Sequence, residues 1–189
     1  MKPASPGVKL TYDDFLLFPE DGKRHELIDG EHYVTASPDL KHQLIVGQLY
    51  LTIGAWLEAH PVGRIVLAPF DVIFSEIDVV EPDLLFISAD RTGDILTSQG
   101  VRGAPDLVVE VASKSTRARD ETLKRRLYER AGVVEYWIVD PAIDVVRVYR
   151  REKSGFLRPE ELSREAEDTL RTPLLPGLEI PLLRIFKDV

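Results

Sequence analysis

Asp106-Leu-Val-Val-Glu-Val-Ala112 is a compact run of apolar and β-branched residues with one acid set inside it. Its length and composition are those of a central strand covered on both faces. Glu110 breaks the pattern. Acidic side chains are almost never fully buried unless they are paired or bind a metal. Glu110 therefore faces a polar cavity or meets a cation inside the fold, and a structural ion pair and a chemically active carboxylate both satisfy that requirement.

Toward the C-terminus, residues 117–131 have helical composition and Gly132 supplies the stop. Counting about 100° per residue from Asp120, Lys124 falls near 40° and Leu127 near −20°, so the lysine shares the apolar, sheet-facing stripe. Arg125, Arg126 and Glu129 point the other way. Lys124 is either a snorkelling stem at the stripe's edge or an ammonium held beside the Glu110 strand. Tyr128, one turn on, lines the same space or simply packs. Residues 135–139 and 144–150 read as further strands around Asp140-Pro141, followed by weaker strand signals and a last short element to Phe186.

Toward the N-terminus, residues 79–88 read as strand, with Glu81-Pro82-Asp83 entering the apolar run Leu84-Leu-Phe-Ile87. Proline suits a strand entry, and Asp83 there brings a carboxylate to the sheet's edge. Pro105-Asp106 has the same form, and Asp106 shares a strand face with Glu110, so composition leaves both aspartates open. Residues 64–68 and 70–74 read as strands and 89–103 as a loop with room for a helical turn. Glu26 to Val34 is a hairpin signal around Asp29-Gly30, and Thr11 to Phe18 a short capped helix. Ser37-Pro38 opens a helix running to about His60. Its apolar residues surround most of its circumference, which predicts burial on more than one side, and Gly47 and Gly54 share a face that would admit a close neighbour.

These elements predict one α/β (α+β) domain over residues 1–189, a mixed central β-sheet flanked by helices with an N-terminal β-hairpin. The chain has no cysteine, which excludes disulfides, zinc–thiolate sites and thiol nucleophiles. A net charge of −8 argues against coating nucleic acid by charge alone. Residues 114–130, however, carry seven basic and three acidic side chains, which reads as a solvated helix face or as a local phosphate-facing surface. No apolar run approaches the roughly 20 residues that cross a bilayer, and residues 1–8 lack a secretory pattern, so cytoplasmic residence without membrane contact is expected. The four histidines lack the spacing of a helix-borne zinc pair, and there is no nucleophile elbow, P-loop or dinucleotide fingerprint. Ser113, Ser115 and Thr116 read as loop or capping residues.

Taken together, Glu26-Leu-Ile-Asp-Gly-Glu31, Val80-Glu-Pro-Asp-Leu84, Ala104-Pro-Asp-Leu-Val-Val-Glu-Val111, Ser113-Lys-Ser-Thr116, Tyr128-Glu-Arg-Ala-Gly132 and Glu135-Tyr-Trp-Ile-Val-Asp-Pro141 resemble the Uma-two family of predicted restriction endonucleases, within the PD-(D/E)XK nuclease superfamily. The resemblance runs from about Thr11 to Phe186. It implies a restriction-endonuclease-like core with a mixed four-stranded sheet, and it favours Asp83 over Asp106 as the "PD" acid beside Glu110. The superfamily lysine two residues after the strand acid is here Ala112, and the resemblance implies that Lys124 on the following helix takes its place. Lys114 stands where the family usually has proline. Glu26, Glu31 and His42 match family positions; Glu31, His42 and Tyr128 are accessory candidates.

The resulting expectation is an endonuclease hydrolysing DNA phosphodiesters with Mg²⁺, or Mn²⁺ as substitute, held by Asp83 and Glu110 and supported by Lys124. A homodimer would suit cutting both strands of a duplex. Two alternatives remain at this level: a nuclease-fold binding or regulatory module without cleavage, and a structural protein in which Lys124 and Glu110 form a buried ion pair.

Overall fold

The computed structural model describes residues 8–187, so the reading of residues 1–7 lies outside the described residues. Helix α1 (Tyr12–Phe15) is shorter than predicted, its first turn closed by Asp14, which accepts hydrogen bonds from the Thr11 backbone N–H and hydroxyl. Strands β1 (Arg24–Ile28) and β2 (Glu31–Thr35) form the expected hairpin, with Asp29 and Gly30 at φ 54° and 73°. Both turn residues thus occupy the left-handed region that a two-residue hairpin turn needs. The long helix α2 (Leu40–Ala59) begins two residues later than Ser37-Pro38 predicts. Asp39 caps it, accepting the His42 N–H at 2.9 Å, and Pro38 stays outside.

Strands β3 (Gly63–Leu67), β4 (Asp71–Ser75), β5 (Asp78–Val80) and β6 (Leu84–Ser88) follow. The stretch 79–88 is therefore two strands, not one. Pro82 has no N–H for a ladder, and Glu81-Pro82-Asp83 carries the chain from one sheet into another. The predicted loop 89–103 contains α3 (Ala89–Ile95) and β7 (Gly100–Arg102). After β8 (Leu107–Val111) come α4 (Arg117–Arg119), a π-turn over Asp120–Lys124, and α5 (Arg125–Ala131), with Gly132 at φ 96° as its left-handed stop. The chain ends in β9 (Glu135–Asp140), β10 (Val145–Glu152), β11 (Gly155–Phe156), β12 (Glu160–Ser163), β13 (Thr169–Leu170), β14 (Ile180–Pro181) and α6 (Leu182–Ile185).

The main sheet runs β11-β10-β9-β8-β6-β3, with β12 added beside β10. β8 and β9 pair in parallel and their other neighbours antiparallel, so the sheet is mixed as predicted but extends beyond four strands. The hairpin belongs to a second sheet, β2-β1-β5-β4-β7. Side-chain alternation sorts the main sheet's two faces. Leu84, Phe86, Leu107, Val109 and Trp137 pack with Ile45, Leu49 and Ile53 of α2. Leu85, Ile87, Val108 and Ile138 pack with Leu127 and Tyr128 of α5 and with Val72 and Val80 of the second sheet. By the same period of two, Glu110 points to the α5 side.

Helix α2 buries one face, not several: Leu40, Leu44 and Leu51 on its outer side are exposed. Gly47 and Gly54 have open space where a Cβ would stand, so among the described residues no neighbour packs closely on them. The basic run 114–130 is largely taken up by internal pairing. Arg117 meets Asp140, Arg119 reaches Thr35, Arg125 pairs with Glu129 and Arg130 with Asp78. Among the described residues, no helix is long and apolar enough to cross a membrane.

Candidate active site

β6 and β8 pair with Leu84 opposite Val109. Continuing that register by one residue places Asp83 opposite Glu110, where facing side chains lie about 5 Å apart at Cβ. Asp83 completes the ladder with its side chain. Its Oδ2 accepts the Val111 N–H at 2.8 Å and lies 3.2 Å from His42 Nε2, while Oδ1 accepts Arg24 Nη1 at 2.8 Å. Helix α2 thus contributes His42, and the start of β1 contributes Arg24. Burial pushes the Asp83 carboxyl upward, but the His42 hydrogen bond and the Arg24 guanidinium more than offset it, leaving a pKa of about 2. The other His42 ring nitrogen, Nδ1, is buried without a hydrogen-bond partner.

Glu110 is met from the opposite layer. Lys124 Nζ donates to its Oε1 at 2.8 Å and the Tyr128 hydroxyl donates to the same oxygen at 2.6 Å. Lys124 also stands 2.6 Å from Glu26 Oε1 on β1. The ammonium is therefore clamped between two carboxylates from different sheets, with 3% of the residue exposed. Burial alone would strip its proton; Glu110, Glu26 and Asp120 instead hold its pKa well above the usual lysine value. Burial pushes Glu110 up to about 8, with Asp120, Asp83 and Glu26 adding to the rise and Lys124 opposing it. Asp120, in the π-turn, is pushed up to about 6, first by burial. Arg119 Nη1 lies 4.0 Å from Glu26 Oε2, a buried oxygen with no hydrogen bond.

The structure brings Asp83, Glu110, Lys124, His42 and Tyr128 together. It does not bring in Glu31, which is exposed on β2 and accepts the Tyr33 hydroxyl at 2.7 Å. Asp106 serves the far end of β8, accepting the Ser88 N–H and hydroxyl and pairing with Arg91. Ser113 and Thr116 close a turn on each other through backbone and hydroxyl bonds. The sequence reading left Glu26 without a role and missed Arg24, Arg119 and Asp120. Glu26 follows Arg24-His25 in β1 and so lacks the apolar setting that marks Glu110; like the other three, it depends on pairing between distant segments.

A cavity of about 370 Å³ is bordered by Arg24, His42, Asp83, Glu110, Ser113 and Lys124, so both strand acids and the lysine reach one space. A second cavity of about 390 Å³ adjoins it, with Arg24, Asp83 and the 35–38 segment as common wall. Among the described residues, no three His, Cys, Asp or Glu side chains are grouped to hold a metal ion. Mg²⁺ does not need such a cage: it favours one or two carboxylates and keeps waters or substrate phosphates for its other positions. Two facing carboxylates at a cavity fit that donor set. Both acids already carry cationic or N–H partners, however, and on Asp83 these engage both oxygens.

The family model described as "Uma2: Putative restriction endonuclease" matches residues 12–183. Among solved structures, a crystal structure titled as a "putative nuclease belonging to DUF820" from Anabaena variabilis superposes with TM-score 0.79 at 21% identity, covering 94% of this chain and 97% of that one. None of the curated proteins matches the chain.

Proposed function

The chain belongs to the Uma2 family, and from that membership we propose that it hydrolyses DNA phosphodiester bonds with the help of Mg²⁺, or of Mn²⁺ in its place. The observation that carries the reading is the meeting of Asp83, one residue before β6, and Glu110 of β8 with Lys124 at the wall of one cavity. Asp83 and Glu110 would hold the cation through carboxylate oxygens, the donors such hard ions prefer. A cation bound there would supply an acidified water and neutralise charge on the phosphate.

The chain's own residues do the rest. His42 and the Val111 N–H fix the Asp83 carboxylate in one orientation. Tyr128 and Lys124 fix Glu110, and Glu26 keeps the ammonium from turning away. Lys124, itself a wall of the cavity, is placed to orient a phosphate oxygen or the attacking water. The test is incubation of purified protein with supercoiled plasmid in Mg²⁺ and in excess chelator. Nicked or linear product that appears only with Mg²⁺ supports the reading; cleavage indifferent to the chelator, or none under either condition, rejects it.

One observation favours a second reading, a non-cleaving nuclease-fold module. Both Asp83 oxygens are already satisfied by protein groups, and Ala112 occupies the position where the superfamily carries lysine. Calorimetry separates the two, since such a module binds no Mn²⁺ at Asp83 and Glu110.

A further inference from the structure

Arg24 occupies an unusual place. Its Nη1 donates to Asp83 Oδ1 at 2.8 Å and to the Glu81 carbonyl at 3.1 Å, and its Nε lies 3.7 Å from Glu81 Oε2. The guanidinium and Asp83 share the wall between the two cavities with the 35–38 segment, and Arg24 and Glu81 border the outer one, beside Lys23 and Gln43. Of the groups on Asp83, the Val111 N–H is fixed in the backbone ladder and His42 is 7% exposed on a capped helix. Arg24 is the half-buried first residue of β1, keeps about a fifth of its side chain in solvent and borders both cavities. Among the described partners of Asp83, its side chain has the most contact with solvent.

We propose that Arg24 is a displaceable internal counter-ion, a gate that holds Asp83 until a divalent cation takes its place and then turns toward the phosphate that arrives with the substrate. This rests on the cation reading above. A cation bound to Asp83 Oδ1 at about 2.1 Å would stand within about 5 Å of a guanidinium still bonded to that oxygen, and two positive groups so close disfavour each other strongly. The guanidinium must leave. Once it does, the passage between the cavities widens on the Arg24 side, and its planar fork suits two phosphate oxygens at once.

The test is calorimetric titration of the full chain with Mn²⁺, comparing wild type, Arg24→Gln and Arg24→Lys, with circular dichroism as the check on folding. Removing the competing charge should tighten Mn²⁺ binding in R24Q by about tenfold or more, while R24K, which keeps the charge, stays near wild type. Equal Mn²⁺ affinity in wild type and R24Q overturns the gate and leaves the cation reading standing. Equal tightening in both variants also overturns it, since the effect would not be one of charge. Mn²⁺ binding to none of the three rejects gate and cation reading together. Should R24Q fail to fold, the wild-type protein still decides: the Arg24 Nε–H resonance, identified by its loss in R24K, should move as Mg²⁺ is added, and an unmoved signal at saturation overturns the proposal.

Discussion

Lys124 and Glu110 are joined across layers, helix to strand, by a 2.8 Å contact between Nζ and Oε1, in a place where each residue is about 3% exposed. Buried there, the ammonium could not keep its charge without the oxygens it meets. Because Glu26 shares the same ammonium, the lysine also pins the second sheet to the first.

Lys124→Met should therefore destabilise the protein by about 3–5 kcal/mol, the usual cost of leaving a buried charge without its partner. Chemical denaturation measures it. Adding Glu110→Gln to Lys124→Met should recover part of the loss, because a glutamine there needs neither a counter-ion nor the uptake of a proton on folding. A double variant less stable than Lys124→Met alone would refute the pairing.

Glu110 gives the stability a definite pH dependence. Its pKa rises from 4.5 to about 8 on folding, so between those values the native state keeps a proton that the unfolded chain releases. Stability contributed by this group is full below pH 4.5 and is lost as pH rises through 8. Asp120, raised to about 6, acts in the same direction. Asp83 acts oppositely: with its pKa lowered to about 2, its contribution is present above about 4 and lost as pH falls through 2. Urea midpoints should decline from pH 5 to 8 in wild type and decline less in Glu110→Gln. A wild-type midpoint rising over that window would contradict the assignment.

Asp106 offers a contrast to Asp83, since both follow a proline before a strand. Its bonds to Ser88 and Arg91 are structural, and four residues of strand set it about 13 Å from Glu110. Asp106→Asn should cost about 1–3 kcal/mol of stability and leave any Mg²⁺-dependent cleavage rate of the folded protein unchanged. A rate loss without a stability loss would return Asp106 to the site.

Much of this was legible in the sequence. Glu110 and Lys124 were visible because each puts a charge where the local period demands an apolar side chain, and Asp29-Gly30 announced its hairpin by conformational need. Local pattern could not tell Asp83 from Asp106, since the two share one motif; the register of β6 against β8 puts Asp83, not Asp106, next to Glu110. Nor could it place Arg24, whose partner lies 59 residues away. The double-sided burial expected of α2 failed because the leucines at 40, 44 and 51 carry no mark telling a packed face from an open one. The basic stretch 114–130 looked like a surface, yet Arg117 and Arg130 answer acids supplied by distant strands.

The most direct measurement is the initial rate of Mg²⁺-dependent plasmid nicking by Asp83→Asn and Glu110→Gln, each verified as folded, beside wild type. If facing carboxylates hold the cation, each variant should lose at least about a hundredfold in rate. Either variant cutting as fast as wild type would contradict the account.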